Sequence, residues 1–471
     1  MISTPVDTPS AEVADLAADL RSAGRAWAAR PLAERLEVLA AWKVQIEAAR
    51  MDLVEQLSRD TGRTGLSHLE VDAVLQSIDR MSGWAPQVLA PPTPVPSADP
   101  GVTITAAPVP FGLVGVISPW NFPLQLALID AVPALIAGAA VLIKPSEITP
   151  SFVPVLRRTI AAVPDLARVL GIVEGGPAVG SQVISVVDAI CFTGSVRTGR
   201  LVAAAAAERF IPAYLELGGK DAAIVTADAD LEVASSGILW GSTANTGQSC
   251  MSLERVYVEE PVASRFIERL VAKAEQVTLE SGGSGVGDIG PFIDPRQADL
   301  VAAQLEDAVA RGATIRTGGV IEEHGGRRFL RPTVVTGVDH DMAIMTEETF
   351  GPVIPVMVVV DTEQAIELAN ATDYGLSGAV FAAPERATSI AAQMLAGGIS
   401  INDACLTAFV PEGEKQAFKS SGLGPTRMGP SSLRRFVRQR VFLTRVQQEI
   451  QPWWYCDDSV AAGDSRKEAT P

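Results

Sequence analysis

From Leu113 onward, short apolar runs alternate with helical stretches, and this alternation restricts the fold more than any other feature of the chain. "LVGVI" precedes a helical segment near 123–138, and "AVLI" leads through Pro145 to a helix near 150–163. "VLGIV" precedes a third helix, and "AICF" precedes a fourth that begins after "TGS". Runs without polar alternation suit strands buried on both faces. Strands separated by helices of this length imply βαβ units and a parallel sheet covered on both sides. The expected class is therefore α/β.

Other segments set the limits of that block. Leu32, Leu36, Leu39, Trp42 and Ile46 recur at helical spacing, so the first 60 or so residues read as helices. A proline-rich break, "LAPPTPVPSADPG", separates them from a strand-like "VTITAAPVP". After "YLELGGKDAAIV" a second α/β block begins, with strand candidates "RVYVEE", "TVVTGV", "VIPVMVVV" and "GAVFAA". "RRFVRQRVFLTRV" reads as a short helix followed by a strand. The expected division is 1–87 with 109–217, then 218–430, with 88–108 and 438–456 forming a small β element. The polar residues 457–471 read as a disordered tail.

Composition excludes several classes of function. With 38 basic against 55 acidic residues the net charge is −17, and no basic run could track phosphates, so nucleic acid is not an expected partner. "LALIDAVPALIAGAAVLI" is interrupted by Asp130 and Pro133, so no membrane span is expected. Cys191, Cys250, Cys405 and Cys456 are far apart, and His68, His324 and His340 show no paired ligand spacing. Neither a metal site nor a disulfide framework is indicated, which suits a reducing compartment. The N-terminus has no basic and apolar signal pattern, and the expected location is cytoplasmic.

Six short stretches carry the chemistry: "SPWNFP" (118–123), "KPSE" (144–147), "FTGS" (192–195), "ELGGK" (216–220), "GQSC" (247–250) and "EETFGP" (347–352). In this order they resemble the NAD(P)-dependent aldehyde dehydrogenase superfamily, and the resemblance covers nearly the whole chain. It implies a Rossmann-type cofactor domain (1–87 and 109–217), an α/β catalytic domain (218–430) and a small β oligomerisation element. Oxidising an aldehyde needs a nucleophile, a hydride acceptor, an oxyanion site and a base. By resemblance the nucleophile is Cys250, since cysteine is effective even when only a few per cent thiolate. Asn121 matches the oxyanion amide, and Glu216 matches the base that activates water on the thioester.

The resemblance further assigns cofactor contacts to Trp120, Lys144, Ser146, Glu147, Gly194, Ser195, Leu217, Gly218, Glu348 and Phe350. A carboxylate at Glu147 accepts a bond from a free ribose 2′-hydroxyl and repels a 2′-phosphate, so NAD is expected over NADP. Two signs depart from the family pattern: Asp130 stands where a lysine is usual, and Arg427 stands near an acidic position. They are expected to form a reversed ion pair behind Glu216. Pocket walls are expected from Phe122, Gln125, Leu126, Ile129, Ser249, Met251 and Phe409, none of them cationic, which favours an apolar aldehyde. Cys191 is expected in the core, and Cys405 lies near the expected substrate entrance. A homodimer or homotetramer is implied. The alternatives are acyl transfer on the same fold, which Glu216 argues against when coenzyme A is the acceptor, and a silent relative, which would have lost one of the three catalytic residues.

Overall fold

The computed structural model describes residues 7–99, 101–280, 287–447 and 454. Cys456, the tail 457–471 and part of the segment 438–456 lie outside the described residues. The chain divides into two compact units, Met1–Leu89 with Pro110–Val437, and Ala90–Val109 with Arg438–Pro471. The smaller unit carries strands β1 (Val95–Pro96) and β2 (Val102–Pro110), in a three-stranded sheet with the strand Val437–Arg445.

Four helices open the larger unit: α1 (Ser10–Ala29), α2 (Leu32–Ala48), α3 (Arg50–Thr61) and α4 (Thr64–Val88). Leu39, Trp42 and Ile46 of the apolar stripe on α2 are completely buried. Gly62 ends α3 in the left-handed conformation (φ 73°), which glycine adopts without a steric penalty. A Cβ there would also lie 2.4 Å from Pro291 Cγ.

The first sheet holds the parallel strands β3 (Leu113–Ile117), β4 (Ala140–Lys144), β5 (Leu170–Ile172), β6 (Ala189–Thr193) and β7 (Ala213–Glu216). Their order is β7-β6-β3-β4-β5, with Gly422–Leu423 added antiparallel on β7. Chain order proceeds one way from β3 and then reverses at β6, so the crevice beyond the carboxyl ends of β3 and β6 is where such a sheet binds ligands. The expected helix near 123–138 is two helices, α5 (Pro123–Leu128) and α6 (Ala131–Ala137). Pro133 has no N–H to offer the carbonyl of Ile129, so the ladder breaks between them.

The second sheet has seven strands, in the order Thr314–Thr317, Thr333–Thr336, Val353–Val359, β9 (Leu253–Glu259), β8 (Asp221–Val225), Ser377–Phe381 and Gly398–Ile401. The first pair is antiparallel and the rest are parallel. Its central strands β8 and β9 are buried along their full length, including the charged Asp221, Glu254, Arg255 and Glu259. No helix of the described residues is long and apolar enough to cross a membrane.

Candidate active site

Cys250 sits in the turn between the helix Leu231–Thr243 and β9. Three consecutive residues before it, Asn245 (φ 54°), Thr246 (φ 59°) and Gly247 (φ 67°), have left-handed backbone. Only glycine does this freely; for a β-branched threonine the conformation is strained. A Cβ at Gly247 would lie 2.2 Å from the carbonyl oxygen of Gly351, so that position admits nothing larger. The turn is held from outside. Thr246 Oγ1 donates to Gly290 O (2.8 Å), Gln248 Nε2 donates to Pro291 O (3.2 Å), and Ile293 N donates to Gln248 Oε1 (2.8 Å). Burial pushes the Cys250 thiol up to about 12, with Lys415 pulling the other way.

Asn121 reaches this turn directly, its Nδ2 donating to Gln248 O at 3.0 Å. An amide nitrogen carries two N–H groups, so a second remains for a ligand. The Asn121 carbonyl accepts from Arg63 Nη2 (2.6 Å) and Asn245 Nδ2 (3.2 Å). Arg63 also donates to Asn245 Oδ1, pairs with Glu70 at 3.2 Å, and lies over the Phe122 ring at 4.5 Å. Glu70 in turn accepts from the N–H groups of Leu124 (2.8 Å) and Gln125 (3.0 Å), capping α5 from another helix. Burial lowers the pKa of Arg63 to about 10 and raises that of Glu70, so each ion depends on its partner. Residue spacing gave no sign of this network, although Glu70 is the one charged residue on the buried stripe of α4.

Glu216 ends β7, half-buried, and its carbonyl accepts from Gly194 N at 3.2 Å. Asp130 and Arg427 meet in a two-pronged pair, Nη2–Oδ2 at 2.6 Å and Nε–Oδ1 at 3.3 Å. Arg427 also donates to Thr193 Oγ1, and Arg435 approaches Asp130 to 3.5 Å. Burial would raise the Asp130 carboxyl, but Arg427 and Arg435 outweigh it and hold it below the usual range. Arg427 itself is raised, because attraction to Asp130 and Glu216 exceeds the effect of burial.

Cys250, Glu216 and Asn121 line one cavity of about 690 Å³. Phe122, Gln125, Leu126, Ile129, Ser249, Met251 and Phe409 all line it too, joined by Trp240 and Cys405. Cys405 Sγ lies 3.2 Å from the carbonyl of Met251. Cys191 is fully buried in β6. The expectation of walls without cations needs correction: Arg80, Lys415 and Arg427 also face this cavity. Arg427 is neutralised by Asp130, whereas Arg80 and Lys415 come from α4 and from a loop distant in sequence, which residue spacing could not join to the site.

The residues expected around a cofactor gather at the carboxyl ends of the first sheet. Trp120 follows β3, Lys144, Ser146 and Glu147 end or follow β4, Gly194 and Ser195 follow β6, and Leu217 and Gly218 follow β7. Ser195 caps the helix Val196–Glu208, accepting from Thr198 N at 3.3 Å. That leaves an exposed helix start of the kind that binds phosphate. Lys144 Nζ lies 2.8 Å from Glu147 Oε2, so a donor and an acceptor stand together for sugar hydroxyls. The second sheet contributes Glu348, whose Oε1 accepts from Gly219 N (3.2 Å), and Phe350, whose ring lies edge-on to Trp120 at 5.4 Å. Gly218 lets that carboxylate approach closely: a Cβ there would sit 2.5 Å from Glu348 Oε2 and displace it. Burial and the nearby Glu254 push Glu348 up to about 8. Glu254 accepts from the N–H groups of Thr349 and Phe350, both at 2.7 Å, and from Lys220 Nζ at 2.9 Å. It thereby ties the "TFG" backbone to β9. These residues fit a dinucleotide: a free helix start for its diphosphate, a paired donor and acceptor for a ribose, and an aromatic edge at the crevice.

A doubly wound sheet of this order, with a thiol, an amide and a carboxylate sharing one cavity, defines an α/β oxidoreductase. The model of the aldehyde dehydrogenase family matches residues 2–442, and the chain belongs to that family. A Mycolicibacterium smegmatis protein provisionally named succinate-semialdehyde dehydrogenase (NADP+) is 35% identical over 461 residues, 96% of this chain and 88% of the relative. The 4,4'-diapolycopene aldehyde oxidase of a Methylomonas species is 36% identical over 392 residues, 81% of this chain and 72% of the relative. Among solved structures, a provisionally assigned aldehyde dehydrogenase from Anabaena variabilis is 49% identical with a TM-score of 0.94, covering 96% of each chain. The betaine aldehyde dehydrogenase of Staphylococcus aureus, in complex with NAD+, is 27% identical with a TM-score of 0.88, over 96% of this chain and 90% of that one.

Proposed function

We propose that this chain oxidises an apolar-bodied aldehyde to the free carboxylic acid with NAD as coenzyme: aldehyde, NAD+ and water give acid, NADH and a proton. The observation that carries this reading is the shared cavity of Cys250, Asn121 and Glu216, whose remaining walls are largely apolar. Cys250 gives its proton to water, which is the proton of the overall equation, and Sγ adds to the carbonyl carbon while the carbonyl electron pair moves onto oxygen. The free N–H of Asn121 and the backbone N–H of Cys250 receive that oxygen. Trp120, Glu348 and Phe350 would hold a dinucleotide beside this carbon, and the group would supply the acceptor for its hydride. Glu216 then takes a proton from water as the water attacks the Cys250 thioester, releasing the acid and restoring the thiol.

Glu147 supports NAD, since a carboxylate favours a free 2′-hydroxyl over a 2′-phosphate. Its charge is shared with Lys144 at 2.8 Å, which weakens that repulsion, and one relative bears NADP+ in its name. The test is NADH or NADPH absorbance with hexanal, benzaldehyde and succinic semialdehyde, with each coenzyme, with and without coenzyme A. Hexanal or benzaldehyde oxidised with NAD, without need of coenzyme A, is the expected result. Strict dependence on coenzyme A, or no oxidation of any aldehyde, would reject the hydrolytic reading.

A further inference from the structure

The cavity has a feature that an apolar aldehyde alone does not use. Ser77 of α4 is only 8% exposed and lines the cavity, yet its Oγ has no hydrogen-bond partner. Two other buried hydroxyls on these helices bond back to their own backbone: Ser67 donates to Arg63 O at 2.6 Å, and Thr61 donates to Leu57 O at 2.7 Å; Ser58 Oγ on α3 is unpartnered but does not line the cavity. One turn beyond Ser77, on the same helical face, Arg80 also lines the cavity, with its Nε buried and unpartnered. Arg80 has no carboxylate within ion-pairing distance among the described residues. Its guanidinium lies 5.9 Å from the Trp84 ring centre, and the exposed Glu412 attracts it only at longer range. Asp72, another acid on this wall, is already paired with Arg50 at 2.7 Å.

Buried polar atoms are almost always bonded, so two orphans side by side at one cavity wall mark a place made for a ligand atom. A guanidinium beside a hydroxyl donor matches a carboxylate. Arg80 lies ten positions beyond Glu70, about 15 Å along the helix axis at 1.5 Å per residue. Glu70 bonds the start of α5, next to Asn121, so the orphan pair stands well away from the reacting carbon. Between the two, Ala73, Val74, Leu126, Ile129 and Val132 line the cavity and offer no charge.

We propose that Ser77 and Arg80 form a carboxylate subsite, and that the preferred substrate is an ω-oxo acid with an apolar middle. This rests on the dehydrogenase reading above and narrows its substrate class. Set against the roughly 15 Å of helix between Glu70 and Arg80, a medium-length chain suits the span better than a four-carbon semialdehyde.

The experiment compares octanal with the ω-oxo acid of equal carbon number and with succinic semialdehyde, in the wild type, Arg80→Gln and Ser77→Ala. The wild type should favour the longer oxo acid over both others, chiefly through KM. In Arg80→Gln the ratio of kcat/KM for that acid over octanal should fall at least about tenfold, as for a site built to bond a group its competitor lacks. Ser77→Ala should lower the ratio less. Octanal oxidised as well as the oxo acid, or an unchanged ratio in Arg80→Gln, overturns the subsite while leaving the dehydrogenase reading intact. Thermal shift with the matching dicarboxylate gives a readout independent of turnover. A rise in Tm in the wild type that is lost in Arg80→Gln supports the subsite even if no aldehyde is oxidised; no rise overturns it.

Discussion

At the start of α4, Arg63 and Glu70 commit their terminal nitrogens and oxygens to neighbours, holding the Asn121 carbonyl, the Asn245 side chain and the first N–H groups of α5 in one buried network. Two to three turns beyond Glu70 on the same helix, Ser77 and Arg80 face the same cavity with polar atoms that bond nothing. The difference separates two tasks. Groups that must present a nucleophile and an oxyanion donor in fixed positions are bonded by the protein itself at every terminal atom, Arg63 Nε alone being left over, because preorganised dipoles need no rearrangement during reaction. Groups that choose a substrate are left to be satisfied by it.

Four measurements can break or sharpen that contrast. At the reacting end, Cys250→Ala should lower kcat by at least about 10⁴-fold and Asn121→Ala by about 10²- to 10³-fold; near-normal turnover in Cys250→Ala would show the nucleophile to be misplaced. Next comes folding energy, read from urea unfolding. Arg63→Met strands the Glu70 carboxylate in the interior and should cost about 3–5 kcal/mol. Arg80→Met removes no protein contact of comparable worth and should stay within about 1 kcal/mol. Equal losses at the two arginines would erase the distinction between the two ends.

The third measurement concerns Asp130. Its folded pKa lies below the unfolded value of about 3.9. The pair with Arg427 therefore contributes stability above that unfolded value, and the contribution is lost as pH falls through the folded pKa. Asp130→Asn should destabilise at neutral pH by about 3–5 kcal/mol, because Arg427 is left buried without its counter-ion. It should also flatten the acid end of the stability profile. A profile below about pH 4 that matches the wild type would argue against the pair's role. The smallest effect is at Lys415. Alkylation of Cys250 by iodoacetamide should quicken as pH rises toward the thiol's raised pKa, since only the thiolate reacts. Lys415→Met removes a charge that lowers that pKa, and should slow alkylation by a few-fold, up to about tenfold for a one-unit rise.

What could be read in advance follows the same division. Strands of the first sheet show in uninterrupted apolar runs, and the cavity's Cys250, Asn121 and Glu216 lie inside short stretches whose glycines, prolines and polar residues are hard to explain otherwise. Asp130 and Arg427 could be matched because each reverses an expected sign. Ser77, Arg80 and Lys415 gave no such signal. A serine and an arginine three apart on a helix look like an ordinary solvated edge, and only packing brings that edge to the wall of a cavity built mostly from other segments. The split of α5 from α6 was obscured for a different reason: both halves are apolar, and only the missing N–H of Pro133 divides them.

The left-handed run at Asn245, Thr246 and Gly247 makes catalytic activity a gauge of intactness. Each such residue other than glycine is unfavourable by about 1–2 kcal/mol on local grounds, so the turn has no conformational preference of its own to fall back on. Its restraints come from elsewhere in the chain: Gly290, Pro291 and Ile293, 43 to 45 positions away, and Asn121 and Arg63, more than 120 positions away. When that docking loosens, the backbone relaxes and the sulfur swings out of alignment while both sheets persist. On warming, turnover should therefore disappear before circular dichroism changes, and the interval between the two temperatures measures how far the failure is confined to one turn.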